Sequence, residues 1–134
     1  MSSSFLPVRK NFPWWRESTF RYVFEWKDET LVEGKPVIKS HDLTGYTGLC
    51  VLKPVPGEPG TPLELTTGNG GVIFGGYLFH EPKNGLIELY VTKAQFEAVL
   101  WKKASYTLFT TEPNPPKDDF ALLTGRFTSA GPPL

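Results

Sequence analysis

Histidine and cysteine, which often bind metals or take part in catalysis, are scarce in this sequence. It contains two histidines, His41 and His80, and one cysteine, Cys50. Neither histidine has another histidine, a cysteine or a paired acid at metal-ligand spacing, so we interpret both as surface residues. Cys50 stands in an apolar strand pattern that favours a small buried hydrophobe, and a single cysteine forms no disulfide within one chain. We expect no metal and no cofactor.

Other patterns that could carry chemistry are incomplete. The glycine-rich stretch 68–76 could cradle a phosphate, but no Lys-Ser or Lys-Thr pair and no predicted helix follow it. Two acid pairs, Asp118 with Asp119 and Glu81 with Glu88, would act as a general acid and base only in a shared cleft, which the sequence does not indicate. The sequence therefore predicts that the protein is not an enzyme.

Aromatic residues make up 14% of the chain and could stack on sugars or on single-stranded nucleic acid. Fourteen basic and fourteen acidic residues give a net charge of zero, so no long-range field attracts nucleic acid or an anionic membrane. We expect neither as a partner. A carbohydrate-binding module stays open as an alternative, with candidate platforms at Trp14, Trp15, Tyr77 and Trp101.

The elements that position these residues are predicted to be short strands. Glycine and proline number 13 each, which favours strands and turns over long helices. Apolar alternation predicts strands at 19–26, 46–53, 63–67, 72–74, 86–91, 104–111 and 120–128, with a further short segment at 36–38. The glycine turn 68–71 predicts a hairpin of 63–67 with 72–74. About seven or eight such strands indicate an all-β protein, a β-sandwich, whose predicted core includes Phe20 or Phe24, Cys50, Leu89 and Leu108.

One short helix is predicted after the strand 86–91. Thr92 and Gln95 have the spacing of a capping box, in which each side chain bonds the backbone of the other residue. Phe96, Val99 and Leu100 follow at helical spacing, so we expect them to share one apolar face.

Residues 1–18 fit neither a helical nor a strand period, and we assign them to an extended N-terminal arm. The sandwich domain is predicted at 19–129 and a C-terminal tail at 130–134. The arm carries large aromatics and arginines, types that are enriched at interface hot spots. We predict that it binds a partner through Phe5, Arg9, Phe12, Trp14, Trp15 and Arg16. The alternative is that Trp14 and Trp15 fold back onto the chain's own sandwich.

The segment Asp-Leu-Thr-Gly-Tyr-Thr at 42–47 is predicted to form a corner. Asp42 can accept a bond from the amide two residues ahead, and Gly45 allows a left-handed backbone angle. No apolar run is long enough for a signal peptide or a membrane span, so we expect no membrane partner and synthesis in the cytoplasm.

This corner and its neighbours resemble a group of small structural proteins of tailed bacteriophages. The matching segments span about residues 19–129 and comprise 19–20, 24–26, 42–47, 63–67, 85–89, 93–100, 106–108 and 123–127. Their order is similar to that of the N-terminal attachment domains of upper-baseplate proteins. Two departures from the group's pattern are the insertion at 38–41 and the long loop at 75–85.

The resemblance implies an immunoglobulin-like sandwich and a role in the architecture of the virion. The chain would be a tail, baseplate or neck component, made in the host cytoplasm, that docks onto other virion proteins and forms a homo-oligomer in the particle. A capsid decoration or cement protein is the alternative within the virion.

Overall fold

The computed structural model describes residues 7–130. The expectation of an all-β, sandwich-like fold is confirmed, with more strands than predicted. In chain order the elements are β1 (Val8–Arg9), β2 (Phe12–Trp14), β3 (Phe20–Glu25), β4 (Lys27–Val32), β5 (Lys35–Ser40), β6 (Thr47–Pro54), β7 (Leu63–Thr66), β8 (Val72–Phe74), a 3-10 turn (Pro82–Asn84), β9 (Leu86–Val91), α1 (Lys93–Ala98), β10 (Lys103–Thr111) and β11 (Asp119–Ser129).

The larger sheet has the order β1-β11-β10-β6-β7, with β2 following β1 along the same edge of β11. Its two longest strands, β10 and β11, pair antiparallel. Alternate residues of β10 are buried, which shows the period expected of a strand with one face on a core. The predicted core residues Cys50 and Leu108 lie on this buried face and are both 0% exposed.

The smaller sheet has the order β3-β9-β8, and its inner face covers the larger sheet. Leu89 in the central strand is 0% exposed, as predicted. Phe20 and Phe24 in the edge strand β3 are partly buried and pack against the same core. Apolar side chains on both inner faces thus fill the space between the sheets, which is the arrangement of a sandwich.

The predicted hairpin of 63–67 with 72–74 is wrong. β7 pairs with β6 in the larger sheet, whereas β8 pairs with β9 in the smaller one. The Asn69 carboxamide oxygen accepts bonds from the amides of Thr66 and Gly71, both at 2.9 Å. This side chain closes the turn at the end of β7, and the chain then crosses to the other sheet, so that Leu65 and Val72 both enter the core.

A hairpin that the sequence did not predict lies between β3 and β6. β4 pairs antiparallel with β5 through a two-residue turn at Glu33 and Gly34, both with positive φ angles of 53° and 77°. Two successive residues in this region are typical of the tight turns that match strand twist. The pattern was missed because β4 is polar at most positions and has no buried face.

Residues 8–9 and 12–14, which lie within the predicted arm 1–18, belong to the larger sheet, so the boundary between arm and sandwich is not at residue 18. β1 and β2 both run parallel to β11. Pro13 does not prevent this pairing, because an edge strand needs hydrogen bonds on one side only. Gly125 admits the close approach, since a Cβ there would lie 2.0 Å from the carbonyl oxygen of Lys10. The Tyr106 hydroxyl donates to that same carbonyl at 2.7 Å.

The predicted helix is confirmed, including both bonds of the Thr92–Gln95 capping box. It ends at Ala98, one residue before Val99, so the predicted apolar face is only partly formed. Phe96 is buried, but Leu100, which lies beyond the end of the helix, is 67% exposed.

Candidate functional site

Two of the six predicted partner-binding residues are core residues instead. Phe12 is 6% exposed and Trp14 only 1%. The Trp14 ring stacks on Phe96 with centroids 4.6 Å apart, and its indole N–H donates to the carbonyl of Lys102 at 3.0 Å. The prediction that Phe12 and Trp14 contact a partner is therefore corrected, and the alternative in which Trp14 folds back is the observed one.

Arg16 also serves the fold. Its guanidinium donates to the backbone carbonyls of Phe96, Val99 and Trp101 and so satisfies acceptors at the end of α1. Trp15 is 46% exposed.

The other two predicted residues lie toward the start of the chain. Arg9 is exposed, and Phe5 lies outside the described residues. Of the six predicted residues, Arg9 and Trp15 are therefore the exposed ones within residues 7–130.

The four candidate sugar platforms likewise include both buried and exposed residues. Trp101 is 0% exposed, and its indole N–H donates to the carbonyl of Thr61 at 3.2 Å. Trp14 is buried as well, whereas Trp15 and Tyr77 are exposed. Two of the four predicted platforms are thus closed to a sugar.

His80 is exposed, as predicted, but His41 is not a simple surface residue. Its ring lies between the hairpin and the sandwich. Nδ1 is 2.7 Å from an oxygen of Asp28, and Nε2 is 2.9 Å from the hydroxyl of Tyr46. Because a carboxylate only accepts, Nδ1 donates to Asp28, while Nε2 shares a hydrogen bond with the hydroxyl of Tyr46. His41 therefore joins β4 to the corner before β6.

This chain of an acid, a histidine and a hydroxyl contains the groups of a proton relay, and it also links β4 to the corner at 42–47. Burial, followed by the charges of Glu112, Asp28 and Asp42, raises the pKa of Tyr46, so its hydroxyl stays protonated at neutral pH. In the adjoining cleft of about 300 Å³, the Asp42 carboxylate accepts two bonds from Thr44, which lower its pKa. These bonds confirm the predicted corner. Neither pKa is moved toward neutrality, where a general acid or base works best.

The β4–β5 hairpin stands apart from both sheets and pairs with neither. All six residues of β4 are exposed, as are all residues of β5 except Val37. Leu31 pairs with Pro36 and Glu29 pairs with Ile38, and these positions share one face of the hairpin. Leu31 is 72% exposed and Ile38 is 60% exposed, so the apolar patch of Leu31, Pro36 and Ile38 on this face, beside the exposed Glu29, has no cover within the described chain.

A second exposed apolar feature is the loop 75–81, at whose tip Leu78 and Phe79 are 82% and 69% exposed. Beneath it lies Glu88, which is 4% exposed and which the sequence analysis did not single out as a structural residue. The sequence does contain a signal for this ion pair. Arg21 lies on the outer face of β3, diagonally opposite Glu88 on the paired strand β9, where opposite charges attract. Their side chains are 2.6 Å apart.

Comparison with protein-family models and with curated protein sequences finds no match for this chain. Within residues 7–130, no three histidine, cysteine, aspartate or glutamate side chains form a group that could hold a metal ion. None of the helices in the same range has the length and apolar composition needed to cross a membrane.

Proposed function

We propose that this chain is a non-enzymatic structural protein of a tailed-phage virion, in the tail, baseplate or neck, and that the β4–β5 hairpin docks it onto a neighbouring subunit. The observation that carries the proposal is the uncovered apolar face of Leu31, Pro36 and Ile38 on a hairpin that belongs to neither sheet. An exposed apolar patch of this kind is typical of an interaction surface.

The energetics of an isolated hairpin support a docking role. A two-stranded ribbon is marginally stable in water and gains stability when a third strand or another surface packs on it. Within residues 7–130 the hairpin is anchored at its base, where the His41 amide donates to the carbonyl of Trp26 at 2.9 Å and the His41 ring bonds Asp28 and Tyr46. A partner that covers the apolar face would supply the missing burial, and the outer edges of β4 and β5 remain available for pairing with another strand.

The virion role is supported by the agreement between the sandwich and the fold that the resemblance implies. The corner at 42–47 is one of the ordered segments that carry that resemblance, and its Asp42 turn and its Gly45 φ angle of 80° follow the expected geometry. Residues 38–41, which depart from the group's pattern, form the end of the hairpin and its anchor. The insertion thus coincides with the surface that we assign to docking.

The experiment is complementation of a phage that lacks this gene, with incorporation into purified virions measured by mass spectrometry. A Leu31→Asp, Ile38→Asp double variant should fold but fail to incorporate, because two carboxylates would enter an apolar interface. The control is Leu100→Asp, whose side chain is 67% exposed at a site away from the hairpin. Full incorporation of the double variant would contradict docking through the hairpin.

Electron microscopy of the complemented virions then places the protein. Density in the tail, baseplate or neck supports the proposal, whereas density on the capsid surface would assign the chain to decoration instead. Absence of the wild-type chain from purified virions would overturn the virion role. Binding on a glycan array that depends on Trp15 or Tyr77 would favour the carbohydrate-binding module.

A further inference from the structure

The loop 75–81 is fastened by its own backbone contacts although most of its side chains are exposed. Gly75 has a φ angle of 90°, and a Cβ at this position would lie 2.3 Å from the backbone nitrogen of Glu81. The amide of His80 donates to the carbonyl of Gly76 at 2.8 Å, and the Asn84 side chain donates to the carbonyl of Gly75 at 3.2 Å. The loop therefore closes on itself and presents one defined tip.

A buried carboxylate fixes this loop to the sheet. Glu88 accepts bonds from the amide of Tyr77 at 2.9 Å and from the guanidinium of Arg21 at 2.6 Å. The guanidinium lies 4.3 Å from the ring centre of Tyr77 and 4.2 Å from that of Tyr90. Burying a carboxylate is costly unless it is hydrogen-bonded. The bonds from Arg21 and from the amide of Tyr77 offset this cost, and they also position the loop over β9.

The tip that this arrangement holds in solvent is apolar. Leu78 and Phe79 are the most exposed large hydrophobic side chains of the loop. An apolar pair in a fixed geometry loses little conformational entropy on binding, which is the property of a preformed anchor. The tip is therefore suited to insert into an apolar groove.

Such a groove lies beside the loop on the same molecule, with a volume of about 520 Å³. Its lining comes from β8, β9, the corner before β6, the turn before β8, the 3-10 turn and the loop itself. It includes Ile73, Phe74, Tyr77, His80 and Tyr90. Among the described residues, no aspartate, glutamate, lysine or arginine lines it. Leu78 and Phe79 are not part of the lining, so a molecule's own tip does not fill its own groove.

We propose that the tip of one copy, Leu78 and Phe79, inserts into the groove of a second copy, and that the two contacts are reciprocal. In a two-fold dimer the tip of each copy contacts the groove of the other, so the same contact is made twice. A net charge of zero imposes no overall repulsion between copies. This contact uses a different surface from the hairpin and does not rest on the proposed virion role.

The area available reaches the lower end of what a dimer needs. Leu78 is 82% and Phe79 is 69% exposed, so one tip can bury at most about 300 Å², and the groove that receives it buries a similar area. Two reciprocal contacts remove at most roughly 1,200 Å² from water, which is the lower end of the range of specific protein interfaces.

The test is sedimentation velocity of the full chain over a concentration series from about 1 to 500 µM. A Leu78→Ser, Phe79→Ser tip variant should raise the dimer dissociation constant at least about tenfold. Ile73→Gln in the groove should have a similar effect. Leu31→Asp on the hairpin should leave the dissociation constant unchanged, which separates this contact from the docking surface proposed above.

Mixing provides the decisive measurement. The tip variant keeps an intact groove and the groove variant keeps an intact tip, so an equimolar mixture should associate more strongly than either variant alone. A wild-type chain that stays monomeric up to 500 µM, a tip variant that dimerises like the wild type, or a mixture without gain would each overturn the proposal. Flotation of a monomeric wild type with neutral phosphatidylcholine vesicles, lost in the tip variant, would instead assign the tip to a membrane.

Discussion

The imidazole ring of His41 lies flat on the indole of Trp26, with ring centroids 3.9 Å apart and planes inclined by 8°. These residues flank the β4–β5 hairpin, one just before β4 and the other just after β5. The stack therefore closes the hairpin where it leaves the sandwich. Because the bonds to Asp28 and Tyr46 hold the same ring, the His41 side chain adds three contacts to the backbone bonds that attach the hairpin.

Replacing His41 with alanine should loosen the hairpin without unfolding the sandwich. The change removes the stack on Trp26 and both ring hydrogen bonds, so the amides of β4 and β5 should exchange with solvent at least about tenfold faster. Amides of β10 should keep their protection. Hydrogen exchange followed by NMR makes the measurement, with His80→Ala as the control at an exposed position. Equal exchange at 27–40 in the variant and the wild type would show that His41 does not anchor the hairpin.

Replacing Glu88 with alanine should destabilise the protein by about 1–3 kcal/mol, because Arg21 and the amide of Tyr77 would lose their acceptor. The Arg21 side chain is 38% exposed, so solvent compensates part of the loss. Urea unfolding measures the change. Glu64→Gln, an exposed glutamate in β7, is the control and should alter the free energy of unfolding by less than about 0.5 kcal/mol. A loss no larger than that of the control would mean that the loop is held by its backbone alone.

Cys50 should make stability depend on alkaline pH. Burial raises the pKa of its thiol to about 12, above the ordinary value of 9.0 that applies in the unfolded chain. The folded state resists deprotonation, so stability is complete below about pH 9 and is lost as pH rises toward 12, by about 1.4 kcal/mol per pH unit. Burial also raises the pKa of Tyr106, which adds a further loss above about pH 10.

Urea unfolding between pH 8 and 10 tests the contribution of Cys50, with Cys50→Ala as the comparison. The variant is less stable at pH 8 but should lack most of the decline from pH 9 to 10. A thiol reagent at pH 8 should modify the native protein only at the rate of unfolding. Fast modification of the folded chain would place the thiol at the surface and contradict its burial.

Truncation should distinguish the first six residues from the strands that follow. A chain that begins at Pro7 retains β1 and β2 and should fold. A chain that begins at Trp15 lacks the buried rings of Phe12 and Trp14, each worth about 3–5 kcal/mol, and should be unfolded or aggregated. Circular dichroism and thermal melting make the comparison. A cooperative melt of the shorter chain near the wild-type midpoint would show that the parallel edge strand is dispensable.

Local patterns in the sequence were sufficient for much of this fold. Alternation around Leu89 and Leu108 predicted which side chains are buried, because successive strand residues face opposite sides. The Thr92 capping box and the Asp42 corner were also predictable, since their hydrogen bonds join residues two or three positions apart. The likeness to phage structural proteins rests on the order of such local elements, and it remains a proposal.

Tertiary structure decided the partners of those elements and, with them, the candidate site. β7 and β8 are close in sequence but belong to different sheets, because the core that both must enter lies between the sheets. Phe12 and Trp14 have the composition of an interface, but pairing of their strand with β11 places them inside. The sequence alone determined which residues are apolar. Long-range pairing determined which of them stay exposed, as Leu31 and Leu78 do. The reason is that burial depends on neighbours that are distant in the chain.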